Sequence, residues 1–66
     1  MTIQQLQYAL AVYRAGSISG AAAALGLAQP NLSGIIRALE EELGYSIFLR
    51  NSKGVQATEK GVEALS

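Results

Sequence analysis

Residues 17–44, SISGAAAALGLAQPNLSGIIRALEEELG, decide the fold. They read as two helices around a tight corner. Ser17 is an N-cap residue, whose side-chain oxygen can accept a free N–H of the first helical turn. The run Ala21 to Leu25 has the strongest helix propensity in the chain. Gly20 weakens the first turn and Gly26 ends the helix, predicted over 18–25. Only Gly26, Leu27 and Ala28 separate it from the next helical pattern. Pro30 suits a first turn, where its missing N–H costs nothing. Leu32, Ile36, Leu39 and Leu43 then recur at spacings of four, three and four, which predicts a helix over 29–43 with Gly44 as its stop. Pro30, Ser33, Gly34, Arg37 and Glu41 lie on the opposite face, with Gln29 at its flank. Two helices crossing at so short a turn leave room only for a small side chain, and Ala22 meets that need.

The flanks complete the pattern. Upstream, Thr2 and Gln5 form a capping box. Ile3, Leu6, Leu10 and Tyr13 follow at helical spacing, and Gly16 stops a helix predicted over 3–15. Tyr8 and Val12 lie off that stripe and predict a second, partly covered face. Downstream the period changes. Ile47 and Leu49 alternate with Ser46, Phe48 and Arg50, a short strand within 45–50. Asn51-Ser52-Lys53-Gly54 is turn chemistry, and residues 55–57 read as the return strand. Thr58 caps a last helix, with Glu59 placed against its N-terminal dipole. Val62 and Leu65 begin an apolar stripe that reaches Ser66 without a stop signal, so the chain is expected to be a fragment. The architecture is mainly α: a winged helix-turn-helix at 1–58, with a three-helix core and a β-hairpin wing, and the start of a linker helix at 59–66. The helix at 29–43 is then the recognition helix, with its N-terminal half in the major groove of DNA.

Composition narrows the chemistry. The 66 residues suit one small domain, and half are apolar. There is no His, Cys or Asp, and every acid is Glu. Zinc sites and Ser-His-Asp or Cys-His catalytic arrangements are excluded, and no disulfide can form. No apolar run approaches a membrane span of roughly 20 residues, and residues 1–10 lack the positive region of a signal peptide. The formal net charge is zero, unlike the basic excess usual in nucleic-acid binders. The zero is a sum over opposed zones. Residues 1–39 carry Arg14 and Arg37 and no acid, whereas residues 40–49 carry three Glu and no base. The wing, 50–54, is basic again through Arg50 and Lys53.

Each candidate contact has a functional and a plain reading. Gln29 can pair with adenine N6 and N7, and Pro30 can touch a thymine methyl; both are also ordinary first-turn residues. Asn31, Ser33, Gly34 and Arg37 extend the same surface, although Gly34 offers no side chain to a base. Arg37 can reach a phosphate or a guanine edge, or pair with Glu40 or Glu41 along the helix. Arg50 and Lys53 bracket the wing tip, where they suit phosphate or the minor groove, or form a solvated turn. Ser17, Ser19 and Thr58 can donate hydroxyls to phosphate, while Ser17 and Thr58 also sit where caps belong. Glu40-Glu41-Glu42 reads as a solvated face, or as charge that keeps that helix end off DNA.

Beyond these readings, positions 16–61 resemble the DNA-binding domain of LysR-type transcriptional regulators. The resemblance rests on Gly16-Ser17-Ile18-Ser19, Ala21-Ala22, Leu25, Gln29-Pro30, Leu32-Ser33 and the run Ile36-Arg37-Ala38-Leu39-Glu40-Glu41-Glu42-Leu43-Gly44. Leu49-Arg50 and Thr58-Glu59-Lys60-Gly61 extend it. It implies a bacterial, cytoplasmic, nucleoid-associated regulator that is not an enzyme. It further implies an inverted-repeat DNA operator, and a homodimer or tetramer formed through the linker helix. No cofactor or metal is expected in this domain; a small-molecule effector would bind a C-terminal domain outside the chain. The chain departs from the family pattern at three positions. Ala28 stands where Ser usually caps the recognition helix, Gly34 where a long polar side chain is common, and Ala9 where an aromatic ring is common. Two rivals remain open: a winged-helix regulator of another family, and a winged helix used for protein–protein contact.

Overall fold

A side-chain cap opens every helix but one. The computed structural model describes residues 2–51 and 54–65. In α1 (Ile3–Ala15), Thr2 Oγ1 accepts from the Gln5 N–H at 3.1 Å and Gln5 Oε1 accepts from the Thr2 N–H at 3.0 Å, the predicted capping box. In α2 (Ile18–Leu25), Ser17 Oγ accepts from the Gly20 N–H at 3.0 Å. Before α3 (Gln29–Leu43), Ala28 holds the extended cap conformation with no side chain to offer. All three helices stop at a left-handed glycine: Gly16, Gly26 and Gly44. The chain continues as β1 (Phe48–Asn51), β2 (Gly54–Ala57) and α4 (Glu59–Leu65). The strands are antiparallel, with Phe48 opposite Ala57 and Asn51 opposite Gly54.

The core is built where α1, α2 and α3 meet. Ala9 and Val12 of α1, Ile18, Ala21 and Ala22 of α2, and Leu32, Ile36 and Leu39 of α3 are buried together. Ile47 and Phe48 close it from below. Ala22 fills the tight corner as its size predicts.

Two expectations fail on packing. The α1 stripe Ile3, Leu6, Leu10, Tyr13 is not the core face: Ile3 is 76% exposed and Tyr13 46%, while Ala9 and Val12 are fully buried. Buried alanines on both α1 and α2 show that small side chains serve this crossing, so the bulkier stripe is turned aside. In the hairpin, Leu49 is 60% exposed and Phe48 is buried, the reverse of the predicted alternation. The strand starts at Phe48, not at Tyr45. Ile47 lies before the ladder, where its N–H donates to Glu40 and its carbonyl accepts from the Thr58 N–H at 2.8 Å. Burial does not alternate along the strand: Phe48 is buried, and Leu49, Arg50 and Asn51 are all exposed.

Two close approaches fix the wing and α4. The Val55 N–H donates to the Gly16 carbonyl at 3.0 Å. A side chain at Gly54 would place its Cβ 2.3 Å from that same oxygen, and φ there is +127°. Gly54 thus lets β2 lie on the α1–α2 turn. On the other side, a Cβ at Gly61 would lie 2.2 Å from the Ile47 carbonyl, so α4 rests directly on backbone. Thr58 holds this joint. Its hydroxyl donates to the Ser46 carbonyl at 2.7 Å and accepts from the Gly61 N–H at 2.9 Å.

Candidate nucleic-acid interface

The start of α2, the start of α3 and the wing enclose an open groove of about 390 Å³. Ser17, Ser19, Gln29, Ser33, Arg50 and Asn51 line it. Their convergence follows from the turns already described. The corner at 26–28 brings the first turn of α3 beside the first turn of α2, and Ser19 Oγ donates to Gln29 Oε1 at 3.0 Å across it. The bond from Val55 to Gly16 brings the wing against the same α2 start.

Along α3, Gln29, Ser33 and Arg37 follow at intervals of four, so they form one column on the helix surface. Gln29 and Arg37 are exposed and Ser33 is half-buried. Pro30 and Gly34 form an exposed neighbouring column, and a Cβ at Gly34 would meet nothing within 4 Å. Asn31 is exposed at the same end. This surface offers hydroxyls, an amide and cations, the groups that meet phosphates and base edges.

Of the predicted residues, Ser17, Ser19, Gln29, Ser33 and Arg50 line the groove, and Pro30, Asn31, Gly34 and Arg37 are exposed on α3. Thr58 is not a groove residue; its hydroxyl is engaged within the chain at both its donor and acceptor sides. Lys53 lies outside the described residues. Ser17 does cap, as its plain reading holds. The Ile18 and Ser19 N–H groups precede the helical ladder of α2 and face no intrahelical acceptor.

Charge is divided as the composition implies. Among the described residues Arg37 makes no ion pair, so neither Glu40 nor Glu41 holds it. Glu40 has another task. Its Oε2 accepts from the Ile47 N–H at 2.7 Å and from the Phe48 N–H at 3.1 Å, tying α3 to the root of the wing. Sequence reasoning missed this clamp because three consecutive Glu look alike until the chain turns back. Asn51, read only as a turn former, also lines the groove. Lys60 lies 5.5 Å from the Tyr45 ring centroid, where a cation–π contact occupies it beside the joint. Among the described residues no group of His, Cys, Asp or Glu could hold a metal, and no helix is long and apolar enough to cross a membrane.

Known proteins resemble the chain in sequence and fold. Residues 3–62 match the family model described as bacterial regulatory helix-turn-helix protein, lysR family. The chain is 46% identical over 63 residues to the HTH-type transcriptional regulator AbaB of Streptomyces antibioticus, covering 96% of this chain and 21% of that protein. It is 46% identical over 61 residues to the HTH-type transcriptional regulator BudR of Klebsiella aerogenes, covering 92% of this chain and 43% of that protein. Among solved structures, the BenM DNA-binding domain in complex with benA site 1 DNA superposes with a TM-score of 0.93 at 40% identity, covering 98% of this chain and 76% of that one. The chain thus spans less than half the length of these curated relatives.

Proposed function

Because the chain belongs to the lysR family of bacterial regulatory helix-turn-helix proteins, we propose that its groove is the surface that binds duplex DNA in a transcriptional regulator. The N-terminal half of α3 enters the major groove, which is wide enough for one helix. Gln29, Pro30, Ser33 and Gly34 then face base edges. Asn31 and Arg37 meet the flanking strand, and Ser17 and the free N–H groups of α2 face a phosphate. Arg50, at the wing edge of the groove, meets the DNA backbone, and Lys53 is the second wing cation assigned to it. The observation that carries this reading is the groove itself, in which polar groups from α2, α3 and the wing converge beside the exposed α3 column. Thr58 is left out of the contact set.

The domain ends at residue 58, and α4 begins a linker helix through which two copies join. Two copies place two α3 helices in successive major grooves of an inverted repeat. The domain is a binding module without catalytic chemistry of its own, working in the bacterial cytoplasm. A small-molecule effector binds in the part of the relatives' length that this chain does not span.

Few cations imply few phosphate contacts. Arg37, Arg50 and Lys53 give a log–log salt slope of roughly −2 to −3 per protomer. Fluorescence anisotropy of labelled duplex DNA, titrated at several salt concentrations, measures it. Arg37→Ala should make the slope shallower by about one unit while thermal unfolding is unchanged. An affinity that stays flat across salt favours the protein–protein reading instead.

A further inference from the structure

We propose that Ser19 is a positioning residue that sets how Gln29 reads a base pair, an inference that rests on the reading of α3 as the recognition helix. Ser19 stands in the first turn of α2 and Gln29 in the first turn of α3. Both are exposed, so neither is held by packing. Their one described link is the bond from Ser19 Oγ to Gln29 Oε1 at 3.0 Å. It spans the corner between the helices and serves no cap, since Ser17 already caps α2.

The bond has a chemical consequence. A free glutamine can turn either its carbonyl or its amino end to a base, and it pairs best with adenine by using both. Here the carbonyl end is tied to α2. The Nε2 group, with two hydrogens, takes no partner among the described residues. The amide is therefore held in one orientation, with both Nε2 hydrogens and the second lone pair of Oε1 left to bind. A donor and an acceptor side by side match the N7 and N6 of adenine, a pairing that no other base edge in the major groove offers. Restricting the side chain before binding also removes rotamer entropy that would otherwise be lost on contact. Specificity at this base pair then depends on a residue that touches no base.

The test is selection from a random duplex DNA pool by the wild-type protein, Ser19→Ala, Ser19→Thr and Gln29→Ala, at one stated salt concentration. Wild type should prefer adenine at one position in each half-site. Ser19→Ala should reduce the preference at that position alone by about threefold or more, part of the discrimination of a good side-chain–base pair. Ser19→Thr keeps the hydroxyl and should restore it. Gln29→Ala should abolish preference at the same position. An unchanged Ser19→Ala preference overturns the proposal. So does a loss spread evenly over all sequences, which would make Ser19 a phosphate contact. If Gln29→Ala affects no position, Gln29 does not read DNA and the proposal fails there. If wild type enriches no sequence at all, the reading of the chain as a sequence-specific binder falls first, and the proposal with it.

Discussion

Removing the Glu40 carboxylate should loosen the wing from α3. One oxygen of this side chain accepts two backbone N–H groups, at 2.7 and 3.1 Å, in a half-buried setting. A hydrogen bond to a charged group contributes about 1.5–3 kcal/mol, and half-burial argues for the lower end. Glu40→Ala therefore costs about 3 kcal/mol, since it also leaves two donors without an acceptor. A domain of 66 residues has an unfolding entropy near 0.14 kcal/mol/K, so Tm should fall by about 20 °C. Glu40→Gln keeps an acceptor oxygen but loses the charge. Its bonds drop to the neutral range, and the loss should be about 1–2 kcal/mol, or roughly 10 °C. Far-ultraviolet circular dichroism of the two variants gives the Tm values. Hydrogen exchange of the Ile47 and Phe48 amides gives the local effect, and both should exchange faster in Glu40→Ala. A Glu40→Ala Tm within two or so degrees of wild type, with both amides still protected, would refute the clamp.

Three further changes probe other joints. Gly61→Ala puts a Cβ 2.2 Å from the Ile47 carbonyl, so α4 must shift; urea unfolding should show a loss of about 2 kcal/mol, in the range of overpacked sites. Ala28→Ser supplies the cap that α3 lacks, in a backbone already extended there, and should add about 1 kcal/mol by the same measurement. Gly34→Ala meets nothing within 4 Å and removes a helix-interior glycine, so it should also stabilise by about 1 kcal/mol.

The helix boundaries were legible because caps are local. Thr2 with Gln5, Ser17, and glycines after α1, α2 and α3 each act within a few residues, and all sit where their chemistry predicts. The α3 stripe was legible too, since a single apolar face leaves one way to pack. The core face of α1 was not. Ile3, Leu6, Leu10 and Tyr13 are bulkier than Ala9 and Val12, yet the distance between α1 and α2 decides which face fits, and that distance is a tertiary fact. The start of β1 was hidden for a similar reason. Ile47 has strand-like neighbours but bonds to Glu40 and Thr58, from elements on either side of it in the chain. The groove was half legible: its residue types could be named, whereas the Ser19–Gln29 bond and the place of Asn51 required the fold. The zero net charge proved least informative as a sum and most informative by position, with Arg37 and Arg50 near the groove and Glu40 turned to a structural task.

The central claim concerns one face of the domain. Backbone amide shift mapping of the isotope-labelled chain, on addition of duplex DNA, tests it directly. Shifts should concentrate at residues 17–19, 29–37 and 50–51 and leave the exposed α1 residues Ile3 and Tyr13 unmoved. Shifts centred on Ile3, Tyr13 and Val62, with the groove residues silent, would contradict the account.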